Sequence, residues 1–111
     1  MITVNELVQK LNLNVLAGTN GLNKQINGCY VGDLLSWVMA NAKEKNVWIT
    51  IIGNINSIAV ASLVEMSCII LTENSRLDDD AKNKANELGI PVLCSPLNSY
   101  EMAIKISEII K

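Results

Sequence analysis

Short runs of apolar residues recur along the chain, and a polar or glycine-containing turn follows each of them. The runs at residues 47–52 and 67–71 are nearly all apolar. Such runs are typical of strands that helices cover on both faces, as in a parallel sheet. The pattern predicts strands at residues 13–17, 26–31, 47–52, 67–71 and 90–94.

Segments with apolar residues at a helical spacing lie before, between and after these strands. Thr3 and Glu6 form the sequence signature of a capping box at the start of the first one. Gly89 is expected to end the fourth helix in the left-handed position just beyond its last turn. Helices are therefore predicted at residues 3–11, 33–43, 56–64, 79–88 and 100–110, the last capped by Asn98 or Ser99.

The second helix follows a glycine turn directly after a strand. Asp33 is the expected N-cap, since an aspartate side chain accepts hydrogen bonds from the free N–H groups of a first helical turn. Leu34, Leu35, Val38 and Met39 are expected to face the core.

Strands and helices alternate along most of the chain, which indicates the α/β class with right-handed crossovers between parallel strands. A length of 111 residues fits one domain with one core. The predicted fold is a single three-layer-like domain over residues 1–111, with a mostly parallel sheet flanked by helices.

Charge and composition exclude several classes of function. The formal charge is −2, and Arg76 is the only arginine, so no basic cluster is available to neutralise nucleic-acid phosphates. No stretch reaches the roughly 18 apolar residues of a membrane helix. We therefore expect a soluble, cytoplasmic protein with neither nucleic acid nor membrane as a partner.

Cysteine and histidine usage argues against a metal centre. Cys29, Cys68 and Cys94 are far apart in sequence, no C-x-x-C motif occurs, and the chain has no histidine. Reduced cysteines in predicted strands behave as small core hydrophobes, so buried structural thiols are expected. The aspartates at residues 78–80 point in different directions on a helix and are expected to complement its dipole rather than bind a metal.

No catalytic constellation stands out. The chain lacks a G-x-G-x-x-G turn, a phosphate-binding P-loop and any serine–histidine or cysteine–histidine pair. We expect a protein that is not an enzyme, with no catalytic residue, no cofactor and no metal.

The carboxyl ends of parallel strands meet at one edge of a sheet, where ligands bind in crevices. The residues that follow the predicted strands are small or polar, and helix starts nearby favour an anion. They suit a small anionic or nucleotide-like ligand. Because the Asp33 and Glu73 carboxylates would repel an anion, hydroxyl or amine groups on the ligand are also expected. Turns and helix caps that bind no ligand have the same composition. The candidate binding residues are Gly32, Asp33, Gly53, Asn54, Thr72, Arg76 and Ser95.

The final helix carries more isoleucine than one buried stripe requires. Met102, Ile106, Ile109 and Ile110 are expected to leave apolar surface uncovered in a chain of this size. Contiguous exposed apolar surface usually marks an interface, so a homodimer is predicted.

Several segments together resemble the DRTGG-domain family, and the resemblance covers nearly the whole chain. Its more specific part is YVGDLLS at residues 30–36 with NAK at residues 41–43. The loops at residues 53–56 and 72–76 depart from the family pattern, the first by lacking a histidine that relatives often have. The other matching segments are residues 3–11, 48–50, 59–63 and 89–93.

The resemblance implies a regulatory or ligand-sensing α/β domain that is often dimeric, similar to the N-terminal domain of HPr kinase/phosphorylase. The kinase chemistry of that enzyme lies in a P-loop domain that this chain lacks. The family also implies an alternative, an accessory protein that docks on a larger redox enzyme of the iron–sulfur hydrogenase type or on a kinase system.

Overall fold

A computed structural model describes residues 1–110. Its helices, α1 to α5, are Val4–Leu11, Leu35–Asn41, Ile55–Val64, Asp79–Leu88 and Ser99–Ile109. Its strands, β1 to β7, are Ile2–Thr3, Asn14–Ala17, Gln25–Ile26, Gly28–Val31, Asn46–Thr50, Cys68–Leu71 and Val92–Cys94.

Five strands form the central sheet in the order β2-β7-β6-β5-β4. β4, β5, β6 and β7 run parallel, and β2 pairs antiparallel with β7 at one edge. The predicted α/β class, with a mostly parallel sheet flanked by helices, is confirmed. β1 and β3 form a separate two-stranded antiparallel sheet.

Side chains alternate between the two faces of the sheet, and each face has its own core. In β5, Trp48 packs with residues of α2, α3 and α4, whereas Val47 and Ile49 pack with residues of α1 and α5. All three side chains are fully buried. The sheet is therefore the middle of three layers, as its apolar strands predict.

The predicted helix ends at Thr3, Gly89 and Asn98 are confirmed. Thr3 and Glu6 make the capping box of α1, and Asn98 makes a second one with Glu101 at the start of α5. Gly89 ends α4 with φ of 67°, a left-handed conformation that glycine adopts without strain.

The single strand predicted at residues 26–31 is two strands. Ile26 pairs with Ile2 in the small sheet, and the central sheet begins only at Gly28. The side chain of Asn27, between them, accepts a hydrogen bond from Asn46 Nδ2 at 3.2 Å. Apolar periodicity does not reveal this break, because Ile26 is buried whichever sheet it joins.

The prediction that Asp33 caps α2 is wrong. Leu34 is the N-cap residue, and its hydrocarbon side chain cannot accept a capping bond. The Asp33 side chain binds Thr50 instead. Leu34 and Met39 are exposed rather than inward, and α2 is held to the core by Val38 and, in part, Leu35. The helix ends at Asn41, two residues before its predicted end.

Two further expectations are corrected. Met102 and Ile106 of α5 are fully buried and leave no apolar surface, while Ile109 and Ile110 are partly buried. Cys68 is buried as expected, but Cys29 is exposed because it lies on β4, the edge strand of the sheet.

Candidate functional site

The first part of the carboxyl edge joins the ends of β4 and β5. Asp33 Oδ1 accepts a hydrogen bond from Thr50 Oγ1 at 2.7 Å and one from the backbone N–H of Ile51 at 3.0 Å. The carbonyl of Gly32 accepts a hydrogen bond from Trp48 Nε1 at 2.9 Å. Both predicted site residues thus hold neighbouring strand ends together.

Asn54 begins α3 as its N-cap. Its Oδ1 accepts hydrogen bonds from the backbone N–H groups of Asn56 at 3.0 Å and Ser57 at 3.2 Å. The side-chain oxygen therefore satisfies the helix donors that an anion would otherwise bind there.

The loop at residues 72–78 lies across the ends of β5, β6 and β7. Its Asn74 N–H donates to the carbonyl of Ser95 at 3.0 Å, and Asp78 N–H donates to the carbonyl of Gly53 at 2.8 Å. A Cβ atom on Gly53 would collide with the carbonyl oxygen of Arg76. The absence of a side chain at Gly53 therefore allows this loop to pack closely against it. The loop occupies the space in which the sequence predicted a ligand.

Thr72, the first residue of that loop, and Ser95, which the loop covers, are both buried. Thr72 Oγ1 lies 3.0 Å from Ser99 Oγ, and Ser95 Oγ accepts a hydrogen bond from the N–H of Leu97 at 3.2 Å. Within residues 1–110, no buried side-chain nitrogen or oxygen lacks a hydrogen-bond partner. Both hydroxyls therefore already have a hydrogen-bond partner within the protein.

Arg76 occupies a different position, because its side chain lines an open groove of about 410 Å³. In the part of the chain that the structure describes, its guanidinium has no ion-pair partner within 4.0 Å. Lys82 brings a second positive charge to the groove and Asp79 a negative one. The groove is lined by Leu16, Asn74, Ser75, Arg76, Leu77, Asp79, Lys82 and Cys94.

The structure gives the seven predicted residues three different settings. The loop at residues 72–78 brings Gly53, Thr72, Arg76 and Ser95 together. Gly32 and Asp33 join the ends of β4 and β5, and Asn54 caps α3. Sequence reasoning missed Asn74, Lys82 and Leu16 as groove residues. The position of Lys82 one turn after Asp79 is a signal in the sequence, whereas Leu16 is near only because β2 pairs with β7.

A second cavity, of about 400 Å³, lies at the opposite, amino edge of the sheet. Lys24 and Lys45 line it together with Glu44 and Glu65. Two positive and two negative side chains give it no preference for an anion. Desolvation by burial also lowers the pKa of Lys24 from its ordinary value. Of these two cavities, the Arg76 groove has the more positive lining, with two positive side chains and one negative.

The described residues contain no group of three or more cysteine, aspartate or glutamate side chains that could hold a metal ion. Burial raises the pKa of the Cys68 thiol well above its ordinary value. None of the helices within residues 1–110 is long and apolar enough to cross a membrane.

Comparison with known families identifies the class of the chain. The model of the DRTGG domain matches residues 6–109, so the protein belongs to the DRTGG-domain family. A search of the curated proteins found no match.

Among solved structures, the chain is similar to the crystal structure of the CBS and DRTGG domains of the regulatory region of Clostridium perfringens pyrophosphatase, complexed with its activator diadenosine tetraphosphate. The TM-score is 0.65 at 14% sequence identity, and the match covers 93% of this chain. The chain spans 44% of that protein's chain. At this identity the likeness establishes a shared fold.

Proposed function

We propose that this chain is a non-catalytic regulatory domain that senses a small anionic or nucleotide-like ligand in the Arg76 groove and works as a homodimer. The observation that carries the proposal is the Arg76 side chain, the one arginine of the sequence, which lines an open groove without an ion-pair partner among the described residues. A guanidinium binds a phosphate or carboxylate through two parallel hydrogen bonds.

The composition of the groove supports this ligand class. Its volume of about 410 Å³ is within the range of small-molecule sites. Arg76 and Lys82 attract an anion, and Asp79 favours a ligand that also carries hydroxyls or an amine. Leu16 and Leu77 add apolar surface against which a base or another flat group can pack.

The fold supports nucleotides as the first ligands to test. The pyrophosphatase regulatory region, of which 44% is matched by this chain, was solved as a complex of its CBS and DRTGG domains with the activator diadenosine tetraphosphate. We propose a ligand of that chemical class for this chain, with phosphates near Arg76.

A thermal-shift screen tests the proposal. Mono- and dinucleotides, including diadenosine tetraphosphate, are added to the protein and to Arg76→Ala. A ligand at a hundred times its Kd stabilises the fold by about 2.7 kcal/mol, which raises the melting temperature by several degrees. We expect at least one nucleotide to do so for the wild type and not for Arg76→Ala. No shift with any nucleotide contradicts the ligand class.

The absence of catalysis is part of the proposal. The sequence has no P-loop and no histidine, so it offers neither a phosphate cradle nor an imidazole base for phosphoryl transfer. Incubation with labelled ATP and HPr is expected to give no phosphoserine above a control without protein. The closer relation to the HPr kinase N-terminal domain, a single-domain extent over residues 1–111 and a cytoplasmic location remain predictions.

One observation favours the alternative of a docking module. Trp37 of α2 and Leu34, its N-cap residue, are 63% and 62% exposed, and contiguous exposed apolar surface marks interaction sites. A domain that only docks on a redox enzyme or kinase should show no change in melting temperature with any of the nucleotides. The thermal-shift screen therefore separates the two functions.

A further inference from the structure

β4 is an open edge of the central sheet. Gly28–Val31 pairs in register with Asn46–Ile49 of β5, and no strand within residues 1–110 pairs with its other side. Alternate residues of a strand direct their N–H and C=O groups to opposite sides. Half of the backbone groups of β4 therefore face outward without a partner strand.

The two edges of the sheet differ in their protection. At the other edge, the pairing of β2 with β7 is antiparallel and shifts register between Val15 and Ala17. Irregular pairing is a common way of blocking further strand addition. β4 has neither a charged residue nor a proline, and its pairing with β5 is regular. It is the edge of this sheet that can accept another strand.

α5 extends the open edge with an apolar surface. A groove of about 370 Å³ separates Cys29 and Val31 of β4 from Ala103 and Ser107 of α5 and from Ile110, the residue that follows α5. On the adjoining helix stripe, Tyr100 and Ile104 are 75% and 41% exposed. We call these residues of β4 and α5 the edge surface.

The charged side chains of α5 lie outside this surface. Glu101, Lys105 and Glu108 recur at a spacing of four and three residues and share one stripe. They precede Ala103, Ser107 and Ile110 by two residues each, which is about 200° around the helix. The charged stripe therefore lies on the side of α5 opposite the groove, and the edge surface contains no charged side chain.

We propose that the edge surface binds a second copy of this chain, with the two β4 strands antiparallel across a twofold axis. This inference rests on the proposed homodimer and assigns its interface. A twofold axis places like groups beside like groups, so a charged residue near it would meet its own copy. An uncharged edge with unpaired backbone donors and acceptors is complementary to itself.

The pairing has a geometric consequence. A twofold axis perpendicular to the sheet keeps the α5 layers of both copies on one side and continues the sheet through both chains. With the axis at Cys29 or Tyr30, Cys29 lies opposite or diagonal to Cys29 of the partner subunit. Such positions are within about 8 Å of each other in antiparallel sheets.

Light scattering of the purified chain at micromolar concentration, with circular dichroism to verify folding, tests the interface. We expect the wild type to have twice the chain mass of 12.1 kDa. Val31→Lys and Ile104→Lys place charges on the edge surface and should give the mass of one chain. Leu63→Lys, at a site on α3 that is 72% exposed, is the matched control and should remain dimeric.

The outcomes separate the two proposals. A wild-type mass of one chain overturns both the homodimer and its interface. A wild-type dimer that survives both charged edge variants, or that Leu63→Lys also dissociates, overturns the interface alone. A short bismaleimide gives a second measurement: prolonged treatment should cross-link the wild type into a covalent dimer but not Cys29→Ser. Cross-linking that is unchanged in Cys29→Ser contradicts the pairing.

Discussion

The Asp33 carboxylate accepts a hydrogen bond from the hydroxyl of Thr50 at 2.7 Å, across the gap between the ends of β4 and β5. Thr50 is fully buried and Asp33 lies at the surface. The same Asp33 oxygen also binds the N–H of Ile51. The structure thus gives Asp33 a role in joining two strand ends at the carboxyl edge.

Asp33→Ala is expected to reduce the free energy of unfolding by about 1–2 kcal/mol, because it leaves the buried Thr50 hydroxyl and the Ile51 N–H without their acceptor. Asp33→Asn retains an acceptor oxygen and should lose less. Chemical denaturation measures both. Glu44→Ala is the matched control, since Glu44 is an exposed carboxylate in a turn outside the helices and strands. A loss at Asp33 no larger than at Glu44 would show that the bond does not stabilise the fold.

The sequence predicted most of the fold because its strongest signals are local. The apolar runs of β5 and β6 and the caps at Thr3, Gly89 and Asn98 report structure within a few residues. The Asp33 cap was wrong because its partner, Thr50, lies seventeen residues away in sequence. Local pattern cannot distinguish a carboxylate that caps the next helix from one that binds the neighbouring strand.

The candidate site was less predictable for a related reason. Gly53 suits close approach by a ligand, but the structure places the backbone of Arg76 against it. A glycine in the sequence indicates that another group approaches its backbone closely. It does not show whether that group is a ligand or another part of the chain. Arg76 could be selected because a single arginine after a strand is conspicuous. Leu16, by contrast, reaches the groove through a strand pairing that local periodicity does not encode.

Gly53→Ala is expected to destabilise the protein by about 1–3 kcal/mol, because its methyl group would displace the backbone of the loop at residues 72–78. Gly32→Ala is the matched control. Its Cβ would lie 3.2 Å from a ring atom of Tyr30, which can shift, so the change should stay within about 1 kcal/mol. Thermal or chemical denaturation compares them. Equal effects would contradict close packing of the loop on Gly53.

Stability is expected to fall at alkaline pH, partly because of Cys68. Burial raises the pKa of this thiol in the folded state above its ordinary value of 9.0. Below pH 9 both states are protonated and the full contribution is present. Above pH 9 the unfolded state releases its proton first, so the free energy of unfolding decreases, by at most about 1.4 kcal/mol per pH unit.

Cys68→Ala removes this contribution, and its decline above pH 9 should be shallower than that of the wild type. Denaturation curves at several pH values measure the two slopes. Cys29, whose pKa is raised to about 11 by partial desolvation in the groove, and Lys24, whose pKa is lowered, are retained in both proteins. Parallel slopes for wild type and variant would contradict the role of Cys68.

Asn54 requires a conservative change in any test of the site, because its side chain caps α3. Asn54→Asp keeps an acceptor oxygen at the cap and adds a negative charge to the carboxyl edge. Near a bound anion, that charge should weaken binding while α3 stays intact. Asn54→Ala, by contrast, would lose about 1 kcal/mol of stability through the cap alone. Circular dichroism verifies that Asn54→Asp remains folded.

The central claim is that an anionic ligand binds at the carboxyl edge, beside Arg76. Isothermal titration with the nucleotide that gives the largest thermal shift tests it most directly, in wild type, Arg76→Ala and Lys45→Ala. Lys45 lines the cavity at the opposite edge, so its variant removes one positive charge far from the proposed site. We predict at least a tenfold rise in Kd for Arg76→Ala and an unchanged Kd for Lys45→Ala. A Kd that rises for Lys45→Ala alone, or for neither variant, would contradict the site.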